Sequence, residues 1–87
     1  MASIQEEIAD RRARARSKGW PKRVVEAIAF RRVIIGMDTD MVVASWGMPE
    51  RINKTLVASG ETQQWVYGLG NYVYFERGIV SAVQTSE

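Results

Sequence analysis

The stretch Gln63–Val83, QQWVYGLGNYVYFERGIVSAV, decides the fold. It holds one of the three tryptophans, all three tyrosines and one of the two phenylalanines. Large apolar residues alternate with polar ones, which is the two-residue period of a strand with one buried face. Gly68-Leu69-Gly70-Asn71 and Glu76-Arg77-Gly78 interrupt that alternation with residues that tight turns select. The stretch reads as three strands, Thr62 to Tyr67, Tyr72 to Glu76 and Ile79 to Gln84, joined as an antiparallel meander. Val73 and Phe75 share one face of the middle strand, Tyr72 and Tyr74 the other. Trp65 is assigned to the core, and the tyrosine face is the expected surface for contacts.

Upstream, Arg51 to Val57 also has the period of two, and Ser59-Gly60 supplies its turn. Before it the period changes. Asp38 or Thr39 can cap a short helix carrying Met41, Val42, Ala44, Ser45 and Trp46, which Gly47 ends and Pro49 forbids from resuming. Met37, Met41 and Met48 are expected to fill gaps around it. Another helix is expected from about Pro21 to Phe30 or Arg32, with Val24, Val25, Ile28 and Ala29 on one face and Trp20 as a packing anchor.

At the front, Ser3 and Glu6 fit a capping box, and good helix formers follow as far as Lys18. Glu7 with Arg11 and Asp10 with Arg14 have the spacing of helical ion pairs. The apolar stripe is thin, only Ile4, Ile8 and Ala15, so this helix is expected to fray or to dock on a partner. Two units result: residues 1–19, a charged helix, and residues 20–87, a helix-helix-sheet domain. The fold class is α+β: two short helices packed on a three- to four-stranded antiparallel meander, with an additional N-terminal basic helix.

Composition narrows the function. Of the 87 residues, 46% are hydrophobic and 25% charged, which is too apolar for a disordered chain and enough for one small domain. There is no cysteine and no histidine, so thiolate chemistry, imidazole bases and the commonest zinc ligands are all missing. An enzyme would have to run on carboxylates, lysines or tyrosines, and none are grouped. Asp38 and Asp40 sit at a helix start, where capping explains them, and Glu50, Glu61 and Glu76 lie in or beside turns. The expectation is a protein without catalysis, metal or cofactor. No apolar run approaches the roughly 20 residues of a membrane-spanning helix, and the N-terminus lacks the apolar core of a secretory signal. As it stands the chain reads as cytoplasmic; the other reading is a piece of a longer exported envelope protein.

Charge is unevenly spread. Residues 1–32 carry nine Lys/Arg against four Asp/Glu, a local +5, while residues 33–87 carry three against six, a local −3. Arg11, Arg12, Arg14, Arg16, Lys18, Lys22 and Arg23 form the basic run that nucleic acid or an anionic membrane surface would meet. The sheet carries the aromatics Tyr67, Tyr72 and Tyr74 without that charge, which suits a protein partner better than a phosphate backbone.

The ordered residues Gly36-Met37, Trp46-Gly47-Met48-Pro49, Arg51-Ile52-Asn53-Lys54-Thr55, Gln64-Trp65-Val66-Tyr67-Gly68, Tyr72-Val73-Tyr74-Phe75-Glu76-Arg77-Gly78 and Val83-Gln84 resemble the SmpA/OmlA (BamE-like) group of small bacterial domains. That group shares its architecture with the beta-lactamase-inhibitor protein repeats, and the resemblance covers roughly Ile34 to Gln84. It implies two helices on a three- or four-stranded antiparallel sheet and a non-catalytic domain that binds other proteins. Its best-known branch is an outer-membrane lipoprotein that helps assemble barrel proteins. This chain departs from that branch in lacking a lipid-bearing cysteine and in its basic front, and its wording is closer to bacterial and phage relatives. The functional expectation is a protein-interaction or scaffolding module through Tyr67, Tyr72 and Tyr74. The alternative is an electrostatic binder of nucleic acid or anionic membrane through the basic run.

Overall fold

The computed structural model describes residues 3–86. Three helices, α1 (Ile4–Ser17), α2 (Lys22–Ala29) and α3 (Thr39–Trp46), precede four strands, β1 (Arg51–Val57), β2 (Gly60–Gly68), β3 (Asn71–Glu76) and β4 (Ile79–Gln84). The strands form one antiparallel sheet in chain order, β1-β2-β3-β4. The expected α+β architecture is therefore present, with the meander four strands wide.

The last two hairpins follow from their turns. Leu69 and Gly70 both have positive φ, as do Arg77 and Gly78. Two central residues in that region make a type I′ turn, whose twist matches the strands it joins. Glycine takes the second position each time at no steric cost, while Leu69 and Arg77 carry the strain at the first.

Register sorts the side chains. Trp65 lies opposite Val73, and Phe75 opposite Val80, and all four are buried. Against them pack Val24, Val25 and Ile28 of α2, Val42 of α3 and Met37 from the connecting loop. Helices cover this face of the sheet. Met37 fills the core as expected and Met41 is half-buried, but Met48 is exposed and fills nothing.

Polar groups fix the helices where apolar contact is short. Asp38 caps α3, its Oδ1 accepting from the Met41 N–H at 2.9 Å. α2 ends without a glycine: Arg31 takes a positive φ of 56°, with its N–H bonded to the Ile28 carbonyl and the Arg32 N–H to the Ala27 carbonyl. That pair of bonds is the Schellman ending, normally built on glycine. The turned-out carbonyls are then used by α3. Trp46 Nε1 donates to the Arg31 carbonyl at 2.8 Å, and the hydroxyl of the buried Ser45 donates to that of Arg32 at 2.7 Å. A buried hydroxyl needs such a partner to avoid its desolvation cost.

The first helix, expected to fray or to dock on a partner, lies here against the second helix of its own chain. α1 keeps its capping box, with Glu6 N–H on Ser3 Oγ and Ser3 N–H on Glu6 Oε1, and it lies along α2. Ile8, Arg11, Arg12 and Ala15 recur at three-to-four spacing, the spacing of one helix face. Ala15 is buried, Arg11 Nε donates to the Ala29 carbonyl at 3.0 Å, and Arg12 forms a two-bonded pair with Glu26 at 2.8 and 2.9 Å. The face that docks is half arginine. The Glu7–Arg11 and Asp10–Arg14 pairs do not form.

Trp65→Ala is expected to lower stability by roughly 3–5 kcal/mol, since it leaves a cavity between sheet and α2. Leu56→Ala, on the exposed end of β1, should change it by less than about 0.5 kcal/mol. Urea denaturation of both variants checks the contrast; an unchanged midpoint for the Trp65 variant contradicts its place in the core.

Candidate interaction surfaces

The outer face of the sheet is the first candidate surface. Asn53 lies opposite Gln64 on it, and Gln64 opposite Tyr74. Asn53 Nδ2 donates to Gln64 Oε1 at 3.0 Å, and Gln64 Nε2 reaches the Tyr74 hydroxyl at 3.4 Å. That hydroxyl donates in turn to Gln84 Oε1 at 3.1 Å. The relay crosses all four strands. Tyr72 stands beside Tyr74 with ring centroids 6.4 Å apart. A trough of about 320 Å³ runs alongside, its lining including Asn53, Thr55, Thr62, Gln64, Tyr74, Ser81 and the carboxylate-bearing Glu76 but no Lys or Arg. Amides and hydroxyls each keep donor or acceptor capacity beyond one bond, so the trough offers hydrogen bonds of both kinds and no counter-charge for phosphate.

Tyr67 does not join Tyr72 and Tyr74. Two residues after Trp65, it lies on the helix-covered face, its ring edge-on to Trp46 at 5.1 Å and its hydroxyl donating to the Gly47 carbonyl at 2.8 Å. Burial pushes its phenol pKa up from 10.0 to about 12. This tyrosine ties β2 to the end of α3. Tyr72 and Tyr74 lie opposite Val66 and Gln64, the residues of β2 that face away from Trp65, whereas Tyr67 sits at the register shift between Val66 and Gly68 and keeps to the side of Trp65.

The basic run is the second candidate surface, and the fold splits it. Arg11 and Arg12 are spent on α2, as above. Arg12 also stands over the Phe30 ring at 5.9 Å, with Arg32 over the same ring at 6.0 Å. Arg14 and Lys18, with Arg11, border a cleft of about 170 Å³ whose apolar lining is Ala15, Trp20, Ile28 and Ala44. Arg16 and Lys22 border a second depression, again shared with Trp20. Arg23 lies exposed on α2, outside both. The one ion pair among the described residues is Arg12–Glu26, so these five cations have no carboxylate within 4.0 Å. The sequence pointed to Trp20 only as a packing anchor; that it stands between two cationic depressions depends on how α1 lies on α2.

Among the described residues no group of three or more His, Cys, Asp or Glu is close enough to hold a metal ion. Nor is any described helix long and apolar enough to cross a membrane. No family model, curated protein or solved structure matches the chain.

Two pH dependences follow from these contacts. The hydrogen bond from Arg12 holds the Glu26 carboxyl below its ordinary value of 4.5. Its contribution is thus present above the unfolded glutamate's pKa and lost as pH falls through the lower folded value. Glu26→Gln should flatten the acid limb of the stability curve, and carboxyl NMR should show Glu26 titrating below an ordinary glutamate. Titration at the ordinary value would contradict the pairing. Tyr67 acts at the other end. The unfolded phenol ionises near 10.0 and the folded one near 12, so stability should fall as pH rises through that interval. Tyr67→Phe should remove that part of the fall in alkaline denaturation; an unaltered alkaline limb would deny the burial.

Proposed function

We propose that this chain is a non-catalytic protein-interaction or scaffolding module, an SmpA/OmlA (BamE-like) domain of bacterial or phage origin. The observation that carries the reading is the outer face of the sheet, left uncovered while the other face holds the core. Tyr72 and Tyr74 stand there beside a trough of amides and hydroxyls. Tyrosine with small polar side chains gives large contact area at low conformational cost, which is the chemistry of protein-binding surfaces. The order of two core helices followed by a four-stranded meander is also what the resemblance implies.

A second reading rests on Arg14, Arg16, Lys18 and Lys22 around Trp20, with Arg23 exposed nearby on α2, none of them ion-paired among the described residues, as an electrostatic surface for nucleic acid or anionic lipid. The two readings make opposite demands on salt and position. A photo-crosslinking residue at position 74 should yield a discrete protein adduct in cells of the source, suppressed by Gln64→Arg in the trough beside it. The same residue at position 22 should yield none. Adducts only at position 22, lost steeply between low and high salt, would replace the first reading with the second.

A further inference from the structure

The two edges of the sheet are treated differently by the chain itself. Along β4, the segment Gly36–Asp38 adds backbone bonds: the Gly36 N–H donates to the Val80 carbonyl at 3.0 Å, the Val80 N–H to the Met37 carbonyl at 2.8 Å, and Asp38 bridges Ile79. Along β1, which has a neighbour on one side only, no such segment lies among the described residues.

The Glu61 carbonyl accepts from the Arg77 N–H, so Glu61 turns its backbone toward β3. The Val66 carbonyl accepts from the Glu50 N–H, so Val66 turns toward β1. Antiparallel alternation then aims Thr62, Gln64 and Val66 at β1, and Thr55, Asn53 and Arg51 back at them. The N–H and C=O groups of Ile52, Lys54 and Leu56 point out of the sheet. Their side chains share the helix-side face with Trp65; Ile52 packs half-buried against the core, whereas Lys54 is exposed and Leu56 is 84% exposed. This is a strand edge with three donors, three acceptors and two apolar side chains flanking a lysine.

An open edge takes either a second copy or a different extended segment. Here the lysine chooses. Lys54 is the central residue of Arg51–Val57, so twofold antiparallel pairing that uses all three open residues sets Lys54 directly against its own copy. Like charges opposed across strands are unfavourable. Among the described residues neither Lys54 nor Arg51 has a carboxylate within 4.0 Å.

We infer that the β1 edge receives an extended segment of another protein, adding a fifth strand whose helix-side face reads apolar, acidic, apolar opposite Leu56, Lys54 and Ile52. This rests on the reading of the chain as a protein-binding module and gives the partner a chemistry: an acidic β-strand rather than a copy of this chain.

The test uses the ¹⁵N-labelled full chain and two capped heptapeptides of alternating threonine and valine, one with glutamate and one with lysine at the centre. The glutamate peptide should shift and protect from exchange the amides of Ile52, Lys54 and Leu56, and should bind roughly fivefold tighter than the lysine peptide. Lys54→Glu, a change at an exposed site, should reverse that order. Lys54→Thr should let the chain dimerise in analytical ultracentrifugation, while the unaltered chain stays monomeric. Equal binding of the two peptides, shifts confined to other residues, or dimerisation of the unaltered chain through β1 would each overturn the inference. Should position 74 still capture its protein in cells, protein binding stands and only the edge assignment falls. Loss of that adduct with β1 shifts intact would remove the trough and keep the edge.

Discussion

Trp65 lies against Phe75 with ring centroids 4.6 Å apart, at the junction of sheet and helices, and the arrangement of the whole sheet follows from that pairing of strands. The two residues come from adjacent strands, two residues off direct opposition and so on the same face. A slip of β2 against β3 by one residue would turn Trp65 out to water and Gln64 in. So large an aromatic surface held on one face leaves the register no freedom. Once it is set, Asn53, Gln64 and Tyr74 must line up on the far side, and the backbone groups of Ile52, Lys54 and Leu56 must point out of the sheet. The surfaces proposed for binding are consequences of how the core is filled.

The helical half depends on a different kind of contact. A chain of 87 residues has little apolar area with which to hold a third helix. α1 solves this with arginine: the guanidinium groups of Arg11 and Arg12 find the Ala29 carbonyl and the Glu26 carboxylate of α2. The Ala29 carbonyl is at the end of α2, where carbonyls lack helical partners and attract a cation. A long positive run thus contains two residues that hold the helix in place and five that remain on the surface.

This division explains what could be read from the chain and what could not. Strand alternation and glycine-bearing turns made the meander, the burial of Trp65, Val73 and Phe75, and the outward Tyr72 and Tyr74 legible in advance, because each depends on neighbours in sequence. Residue type alone groups Tyr67 with the other tyrosines, but its contacts with Trp46 and the Gly47 carbonyl put it on the inner face. The docking of α1 was illegible for a stronger reason. A hydropathy pattern scores arginine as a surface residue, so a face made of Ile8, Arg11, Arg12 and Ala15 looks like no face at all. The left-handed Arg31 that ends α2 was hidden likewise, since the signal for such an ending is a glycine that is not there.

The fold keeps its basic front apart from the trough on the sheet's outer face. Cations without partners gather around Trp20, whereas the trough beside Tyr74 has none, and the lone lysine of β1 stands in the middle of the edge. A partner of standard size needs roughly 800 Å² on each side, against 5882 Å² of accessible surface here. Such a footprint is about a seventh of the molecule, and the Tyr74 trough already includes Asn53 and Thr55 of β1, so trough and edge adjoin. A strand added at β1 would extend the outer face by one more row of side chains beside Asn53 and Thr55. Edge and face are then parts of one continuous surface: backbone bonds at the edge would fix the partner's register, and the trough would read the side chains that follow from it.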